Sequence, residues 1–133
     1  MPNRVNQAAG EDLVLTSACN YYDGVTQQEA EDFYNALKNP QDETPVSYGL
    51  NSRLVKEDGK IQEKVWKVGG LYGQALEKIV YWRKKEEGVA ETPEQKAVIA
   101  KLIEFYETGH MKTIDEYAIM SVKDLNSRID FVN

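Results

Sequence analysis

Histidine and cysteine, two side chains that often perform chemistry, occur once each in this chain, as His110 and Cys19. A single histidine can assemble neither a His-Glu-Xaa-Xaa-His zinc pair nor a Ser-His-Asp triad within these residues. His110 follows Gly109 at a predicted helix end, where an imidazolium interacts favourably with the helix dipole, so we expect a structural or surface role. Cys19 has no histidine near it in sequence, and we expect a small buried residue rather than a reactive thiol.

Two further groups could bind a ligand but have simpler explanations. Gly69, Gly70 and Gly73 form a Gly-Gly-Xaa-Xaa-Gly run before a helix, yet no Gly-Lys-Ser/Thr follows, so the run predicts a turn rather than a phosphate loop. An aromatic cluster nearer the N-terminus either lines a ligand groove or belongs to the core, and the core is the commoner role of such residues. Its members are Tyr21, Tyr22, Phe33 and Tyr34.

Asp130 has two interpretations. Ser127 stands three residues before it, so Asp130 fits the acid of a capping box at a helix start. It also fits an exposed carboxylate that receives a substrate ammonium group through a charge-assisted hydrogen bond. The residue pattern by itself favours capping and leaves the binding role open.

Composition and charge exclude several classes of function. The chain has 133 residues and a formal net charge of -6, whereas proteins that follow nucleic-acid phosphates need clustered lysine and arginine. No apolar run approaches the about 20 residues that span a bilayer, and the N-terminus lacks the apolar centre of a secretory signal. We therefore expect a cytoplasmic protein that contacts neither nucleic acid nor membrane.

A β-hairpin from Tyr48 to Val68 is the strongest structural signal, because Asp58-Gly59 supplies a two-residue primed turn between two β-prone runs. The turn sets a register that pairs Glu57 with Lys60, Lys56 with Ile61, Leu54 with Glu63, Ser52 with Val65 and Leu50 with Lys67. One face then carries Tyr48, Leu50, Leu54, Ile61 and Val65. A lone hairpin is marginal in water, so other elements should cover this face. The run from Leu13 to Thr16 could add a strand beside it.

Capping patterns and 3.6-residue apolar periodicity predict the helices. They run from about Gln27 to Lys38, Gly73 to Glu87, Pro93 to Thr108 and Thr113 to Val122, and Ser127 begins one more. In the second, Leu76, Ile79 and Val80 should face inward. The third carries a wide apolar stripe from Val98 to Tyr106, which predicts burial between neighbours.

The predicted fold class is therefore α+β, with a β-hairpin or small antiparallel sheet packed against four to five helices. Residues 1–12 read as an extended lead-in, and residues 13–133 as a single domain. The helix that Ser127 begins would break off within its second turn at Asn133, and so short a helix gains little by itself. We therefore expect a piece of a longer protein.

The segment from Tyr48 to Glu57 resembles the Tyr-Asn-Thr-Arg-Leu-Phe-Lys-Glu strand of the dipeptidyl peptidase III family of zinc metallopeptidases. Upstream, Ala30–Phe33 is similar to the family's Ala-Gln-Asp-Phe helix. Downstream, Ile103–Gly109 is similar to its Ile-Glu-Ser-Phe-Thr-Gln-Gly region. The likeness extends from about Leu13 to the end of the chain, and the family's His-Glu-Xaa-Xaa-Xaa-His zinc motif is absent from the sequence.

This resemblance implies part of a peptide-binding lobe. The family releases dipeptides from peptide N-termini in a cleft between a zinc-binding helical lobe and a lobe that grips the peptide. In this chain Asp130 would correspond to the family's acidic residue for the peptide ammonium group, although Asp is shorter than Glu and Val132 stands where the family has Tyr. Asn20, Tyr21 and Tyr22 loosely match a strand end near the cleft. The catalytic residues and the metal would lie outside this chain, with zinc expected in the full-length parent.

The implied partners are a peptide substrate and the missing zinc-binding lobe, and the isolated chain is expected to be inactive. Apolar surface that the missing lobe would leave exposed would also favour self-association of the chain. Two alternatives remain open. One is a non-enzymatic binding or scaffold domain with a peptidase-like fold, and the other is part of a multidomain hydrolase.

Overall fold

A computed structural model describes residues 5–128, and within them the chain is α+β, as predicted. A small three-stranded mixed sheet and four helices follow one another in the order β1 (Tyr22–Asp23), α1 (Gln27–Leu37), β2 (Ser52–Glu57), β3 (Lys60–Val65), α2 (Gly73–Glu87), α3 (Pro93–Thr108) and α4 (Met111–Lys123). The chain divides into two compact units, Met1–Val65 and Trp66–Asn133. The assignment of residues 13–133 to one domain stays a prediction.

The β2–β3 hairpin has the register that its turn predicts. Asp58 and Gly59 take φ angles of 50° and 74°, as a primed turn requires. The observed pairs include Glu57 with Lys60, Lys56 with Ile61, Leu54 with Glu63 and Ser52 with Val65. The strand begins only at Ser52, so the predicted pairing of Leu50 with Lys67 is wrong. Leu50 lies in the turn before the strand, and its side chain is exposed.

The third strand comes from a different segment than the sequence suggests. Leu13–Thr16 forms a hydrogen-bonded turn, in which the Thr16 amide donates to the Asp12 carbonyl at 3.1 Å. The strand prediction for this run is therefore wrong. Instead, the two-residue strand β1 pairs with β2 in parallel, Tyr22 beside Leu54 and Asp23 beside Val55. The sheet order is β1-β2-β3.

Helix α1 covers one face of this sheet. Its start is the predicted capping box, since the Thr26 side chain accepts from the Glu29 amide and the Glu29 carboxylate accepts from the Thr26 amide. Ala30 of α1 packs with Val25 and Leu54 in the buried core of the unit. Half-buried apolar and aromatic side chains surround this core, namely Tyr22, Phe33, Tyr34 and Ile61.

Helix α3 is the buried centre of the second unit, as its wide apolar stripe predicts. Thr92 caps its start, accepting from the Gln95 amide at 3.0 Å, and Gly109 ends it with a φ of 70°. One side of α3 packs against Tyr117 of α4 through Val98, Leu102 and Phe105. The other side packs against Val80 of α2 through Ile99 and Ile103. Residues on two faces of one helix therefore join three helices.

Two predictions for the flanking helices are wrong. Ile79 of α2 is 38% exposed, whereas Val80 is buried against α3 and Leu76 is half-buried. Helix α4 begins at Met111 rather than at the Thr113 box. Thr113 lies inside the first turn, buried, with its amide donating to the His110 carbonyl at 3.0 Å. His110 directly precedes α4 and is exposed. It therefore lies on the surface, at the N-terminus of this helix.

Cys19 is exposed, so the prediction of a small buried residue is wrong. It lies in the irregular segment before β1, and no core element covers it. The glycine run, in contrast, forms the predicted turn. The Gly70 amide donates to the Lys67 carbonyl at 2.9 Å, and the Gly73 amide donates to the Gly70 carbonyl at 3.1 Å.

Candidate functional site

Two of the predicted site residues, Tyr21 and Tyr22, lie directly beside β2. This strand is part of the family-like segment, Tyr48–Glu57, which resembles the dipeptidyl peptidase III family. The Leu54 amide of β2 donates to the Tyr21 carbonyl at 2.8 Å, and Tyr22 is its neighbour in the parallel pair. Asp23 of β1 adds a further contact between the two strands, an ion pair with Arg53 of β2 at 3.1 Å. Asn20 and Tyr21 have exposed side chains, whereas the Tyr22 ring is half-buried. Asp130 lies outside the described residues.

The Tyr22 ring lines an open groove of about 340 Å³, which we call the Tyr22 groove. Its apolar and aromatic walls are buried or half-buried, and they are Leu13, Val14, Tyr22, Ala30 and Tyr34. Its polar residues all come from α1 and the residue that ends it, and they are Gln27, Glu31, Asn35 and Lys38. The groove therefore combines an apolar floor with a polar, partly charged rim.

Asp12 holds in place the turn whose residues Leu13 and Val14 form one wall of the Tyr22 groove. Its carboxylate accepts hydrogen bonds from the amides of Val14 and Leu15 at 3.0 and 2.9 Å, and from the Gln27 amide at 2.9 and 3.1 Å. The Leu13 amide in turn donates to the Gln27 side-chain oxygen at 3.0 Å. Hydrogen bonds from the Leu15 and Gln27 amides lower the pKa of Asp12. One carboxylate thus fastens the N-terminal turn to the start of α1.

The rim of the Tyr22 groove carries one group of each charge. Glu31 accepts from the Gln27 side-chain amide at 2.8 Å, and Lys38 donates to the Asn35 side-chain oxygen at 2.9 Å. Among residues 5–128 neither makes an ion pair within 4.0 Å. They stand seven residues apart on one side of α1, which corresponds to about 10 Å along the helix axis. Both charges are available to a ligand in the groove.

Tyr34 belongs to a polar cluster behind the groove. Its hydroxyl donates to a Glu63 carboxylate oxygen at 3.3 Å, and the buried Ser52 hydroxyl donates to the same oxygen. Burial of the phenol, with the nearby Glu63 charge, raises the pKa of Tyr34 to about 12. The cluster joins α1 to both strands of the hairpin, so we assign it a structural role.

This raised pKa predicts a loss of stability at high pH. In the unfolded chain Tyr34 has the ordinary tyrosine pKa of 10.0, whereas in the folded chain its pKa is about 12 and the phenol stays neutral up to that pH. The unfolded state therefore binds fewer protons between these values, and the free energy of unfolding falls as pH rises through this window. Denaturant unfolding of the wild type and of Tyr34→Phe at pH 8 and pH 11 measures the effect. The wild type should lose more stability than the variant between the two, and equal losses would contradict the assignment.

The second unit contains a smaller cavity of about 90 Å³ among α2, α3 and α4. Arg83 and Glu86 form an ion pair at its wall, and buried Gln95 accepts from the Glu91 amide at 2.7 Å. Near the end of the described chain, Ser127 donates to the Asp124 carboxylate beside the same cavity. Each of these polar groups thus has a hydrogen-bond or ion-pair partner within the chain. None of the predicted site residues within 5–128 lines this cavity.

Sequence reasoning placed Tyr22 at a binding site but missed the residues that shape the Tyr22 groove around it. Asp12 precedes Leu15 by three residues, a spacing typical of a side chain that caps a turn. Its bond to Gln27 joins segments 15 residues apart in sequence, and no local pattern signals it. Glu31 and Lys38 follow the ordinary pattern of an exposed helix face.

A comparison of the chain with models of protein families finds no match, and a search of curated proteins finds none either. Within residues 5–128 no helix is both long and apolar enough to cross a membrane. The same residues contain no group of three or more His, Cys, Asp or Glu side chains that could hold a metal ion.

Proposed function

We propose that this chain belongs to the peptide-binding lobe of a zinc exopeptidase similar to dipeptidyl peptidase III, and that it orients a peptide rather than hydrolysing it. The observation that carries the proposal is the Tyr22 groove. It lies beside β2, the strand within the family-like segment, and it presents free charges of both signs above an apolar floor. Orientation of a bound substrate is itself a large part of catalysis.

The chemistry of the groove suits a short peptide with free ends. Glu31 would receive the ammonium group and Lys38 the carboxylate, while apolar side chains contact the floor. An extended peptide advances about 3.3–3.6 Å per residue, so the rise of about 10 Å along α1 between Glu31 and Lys38 corresponds to about three residues. The groove therefore favours a peptide of three or four residues over longer chains.

The sheet offers a second feature that suits a peptide. Strand β3 is an edge of the sheet in the described part of the chain. In this register the backbone groups of Ile61, Glu63 and Val65 point away from β2, because the pair next to a two-residue turn is hydrogen-bonded and the pairs alternate from there. An extended peptide, or a second copy, could pair with this edge.

In the parent protein, the facing lobe would supply the zinc, as the family resemblance implies. Asp130 lies outside the described residues, and its role in binding the peptide ammonium group stays a prediction from the resemblance. The exposed, unpaired thiol of Cys19 suits a reducing compartment, which supports a cytoplasmic location. The partners of the chain are then the peptide and the zinc-binding lobe.

Variants of the rim test this proposal. Glu31→Gln should weaken the binding of tetra-alanine with free ends about three- to tenfold, because an exposed charge contact is lost, and Lys38→Gln should do the same. The wild type should bind the peptide more weakly when its N-terminus is acetylated or its C-terminus is amidated. Glu31→Gln should no longer respond to acetylation, and Lys38→Gln should no longer respond to amidation. Isothermal titration calorimetry measures the dissociation constants.

The matched control is Glu43→Gln, which removes an exposed carboxylate of the loop between α1 and β2. It should bind the peptide like the wild type. If Glu43→Gln weakens binding as much as Glu31→Gln, which changes the net charge by the same amount, the loss comes from net charge and not from a contact in the groove. Binding that neither Glu31→Gln nor Lys38→Gln weakens would mean that the groove is not the binding site.

A non-enzymatic binding domain is the second candidate, because the apolar floor and the two rim charges of the Tyr22 groove would bind a peptide without any zinc chemistry. The reading frame around these residues separates the two candidates. A His-Glu-Xaa-Xaa-Xaa-His motif encoded further along supports the peptidase, and other hydrolase domains in its place would support a multidomain hydrolase. A complete frame without either supports the binding domain.

A further inference from the structure

Helix α2 carries two large aromatic side chains on its outer face. The Tyr81 and Trp82 side chains are 54% and 68% exposed, and their rings meet edge to face with centroids 5.2 Å apart. Exposed aromatic surface of this kind costs free energy in water, so it commonly marks a site of association. The inward face of α2 is already occupied by its packing on α3, which leaves this outer face without a partner in the described part of the chain.

The outer face consists of two ridges of side chains four residues apart. One ridge is Glu77, Tyr81 and Lys85, and the next is Gln74, Lys78 and Trp82. An open groove of about 420 Å³ lies between them, lined by Gln74, Glu77, Lys78, Tyr81 and Trp82. Helices pack by placing the ridge of one in the groove of another, so this face has the shape to receive a helix.

The charges of the first ridge identify which helix fits. Glu77 precedes Tyr81 by four residues, and Lys85 follows it by four. Within residues 5–128 neither charge has an ion-pair partner within 4.0 Å. The Lys85 ammonium lies 5.4 Å from the centre of the Tyr81 ring, on the same face. A ridge with an acid at one end and a base at the other is complementary to its own reversed copy.

We propose that α2 pairs with α2 of a second copy of this chain, antiparallel and with the twofold axis at Tyr81. Each Glu77 then faces Lys85 of the other copy, so one pairing forms both ion pairs. The ridge of each copy enters the groove of the other, and the aromatic rings at the centre become buried between the two copies. A single helix face is smaller than a standard interface, so the dimer is weak and forms at high concentration.

Charge reversal tests the pairing. E77K places lysines at both ends of the ridge and K85E places acids at both ends, so either change turns two attractive contacts into two repulsive ones. Each variant alone should dimerise roughly tenfold more weakly at low salt than the wild type. An equimolar mixture of the two variants should associate about as strongly as the wild type, because every contact across the mixed pair is attractive again. Sedimentation equilibrium of the full chain up to millimolar concentration measures all three.

Trp82→Ala should also weaken the dimer, because it removes apolar area at the centre of the face. The matched control is Val122→Ala, which trims an exposed apolar side chain of α4 outside this face and should leave dimerisation unchanged. A monomer at every concentration would overturn the proposal. So would a dimer that E77K and K85E leave unaltered, or a mixture of the variants that associates no better than either alone.

Discussion

Replacing Leu102 with alanine is expected to lower the free energy of unfolding by about 2–5 kcal/mol, the range for a large buried side chain reduced to a methyl group. Leu102 is 1% exposed and lies in the cluster that joins α3 to α4. The loss combines apolar transfer with the cavity left behind, because neighbours such as Val98 and Tyr117 are fixed on helices and can close the space only in part. Denaturant unfolding followed by circular dichroism measures it.

The matched control for this substitution is Leu125→Ala. Leu125 is 86% exposed after the end of α4, so its truncation should change the free energy of unfolding by less than about 0.5 kcal/mol. A loss for Leu102→Ala as small as that of the control would mean that α3 is not the buried centre of its unit.

Gly49→Ala should destabilise the first unit by about 2–4 kcal/mol, for two separate reasons. The residue has a φ of 81°, in the left-handed region that side chains disfavour. A β-carbon there would also lie 2.9 Å from the Tyr34 hydroxyl and 3.1 Å from the ring carbon that bears it. Because Tyr34 is held by its bond to Glu63, relief of the clash would disturb the cluster that joins α1 to the hairpin.

Gly59→Ala separates the two reasons. Gly59 also has a positive φ, of 74°, but a β-carbon there would meet nothing within 4 Å. Its replacement should cost only about 1 kcal/mol, from the backbone alone. The double change Gly49→Ala with Tyr34→Phe should recover part of the extra loss, since the nearest clashing atom is removed. Equal losses for the two glycine variants would show that Tyr34 does not crowd Gly49.

The parts of the fold that the sequence predicts are those governed by local rules. The Asp58-Gly59 turn determines the register of β2 against β3 because a two-residue loop admits only one pairing. Thr92 and Gly109 determine both ends of α3 through their caps, and the bounds of this helix are as predicted. In each case the deciding interaction lies within a few residues.

The predictions that failed depend on contacts between distant segments. Leu13–Thr16 has the composition of a strand, but the Asp12 carboxylate holds it as a turn against the start of α1. Thr113 has the spacing of a helix cap, but it lies buried inside a helix that begins two residues earlier. Local propensity gives way in both places to interactions that only the folded chain brings together.

The candidate site was predictable only in part. The family resemblance predicts a binding role for Tyr22, and this role stays a prediction, although the Tyr22 ring lines a groove. Glu31 and Lys38 follow the pattern of a solvated helix face, and only the open groove beside them distinguishes them from other exposed charges. Asp130, the acid that the resemblance favours, lies outside the described residues.

The most direct measurement of the central claim is an NMR titration of the 15N-labelled chain of 133 residues with tetra-alanine, in the presence of equimolar zinc. The proposed function predicts saturable shifts at the amides around the Tyr22 groove, with the peptide still intact after several hours. Shifts confined to other residues, or none at millimolar peptide, would contradict binding in this groove. Cleavage of the peptide by the isolated chain would contradict the claim that it orients the substrate while the chemistry lies elsewhere.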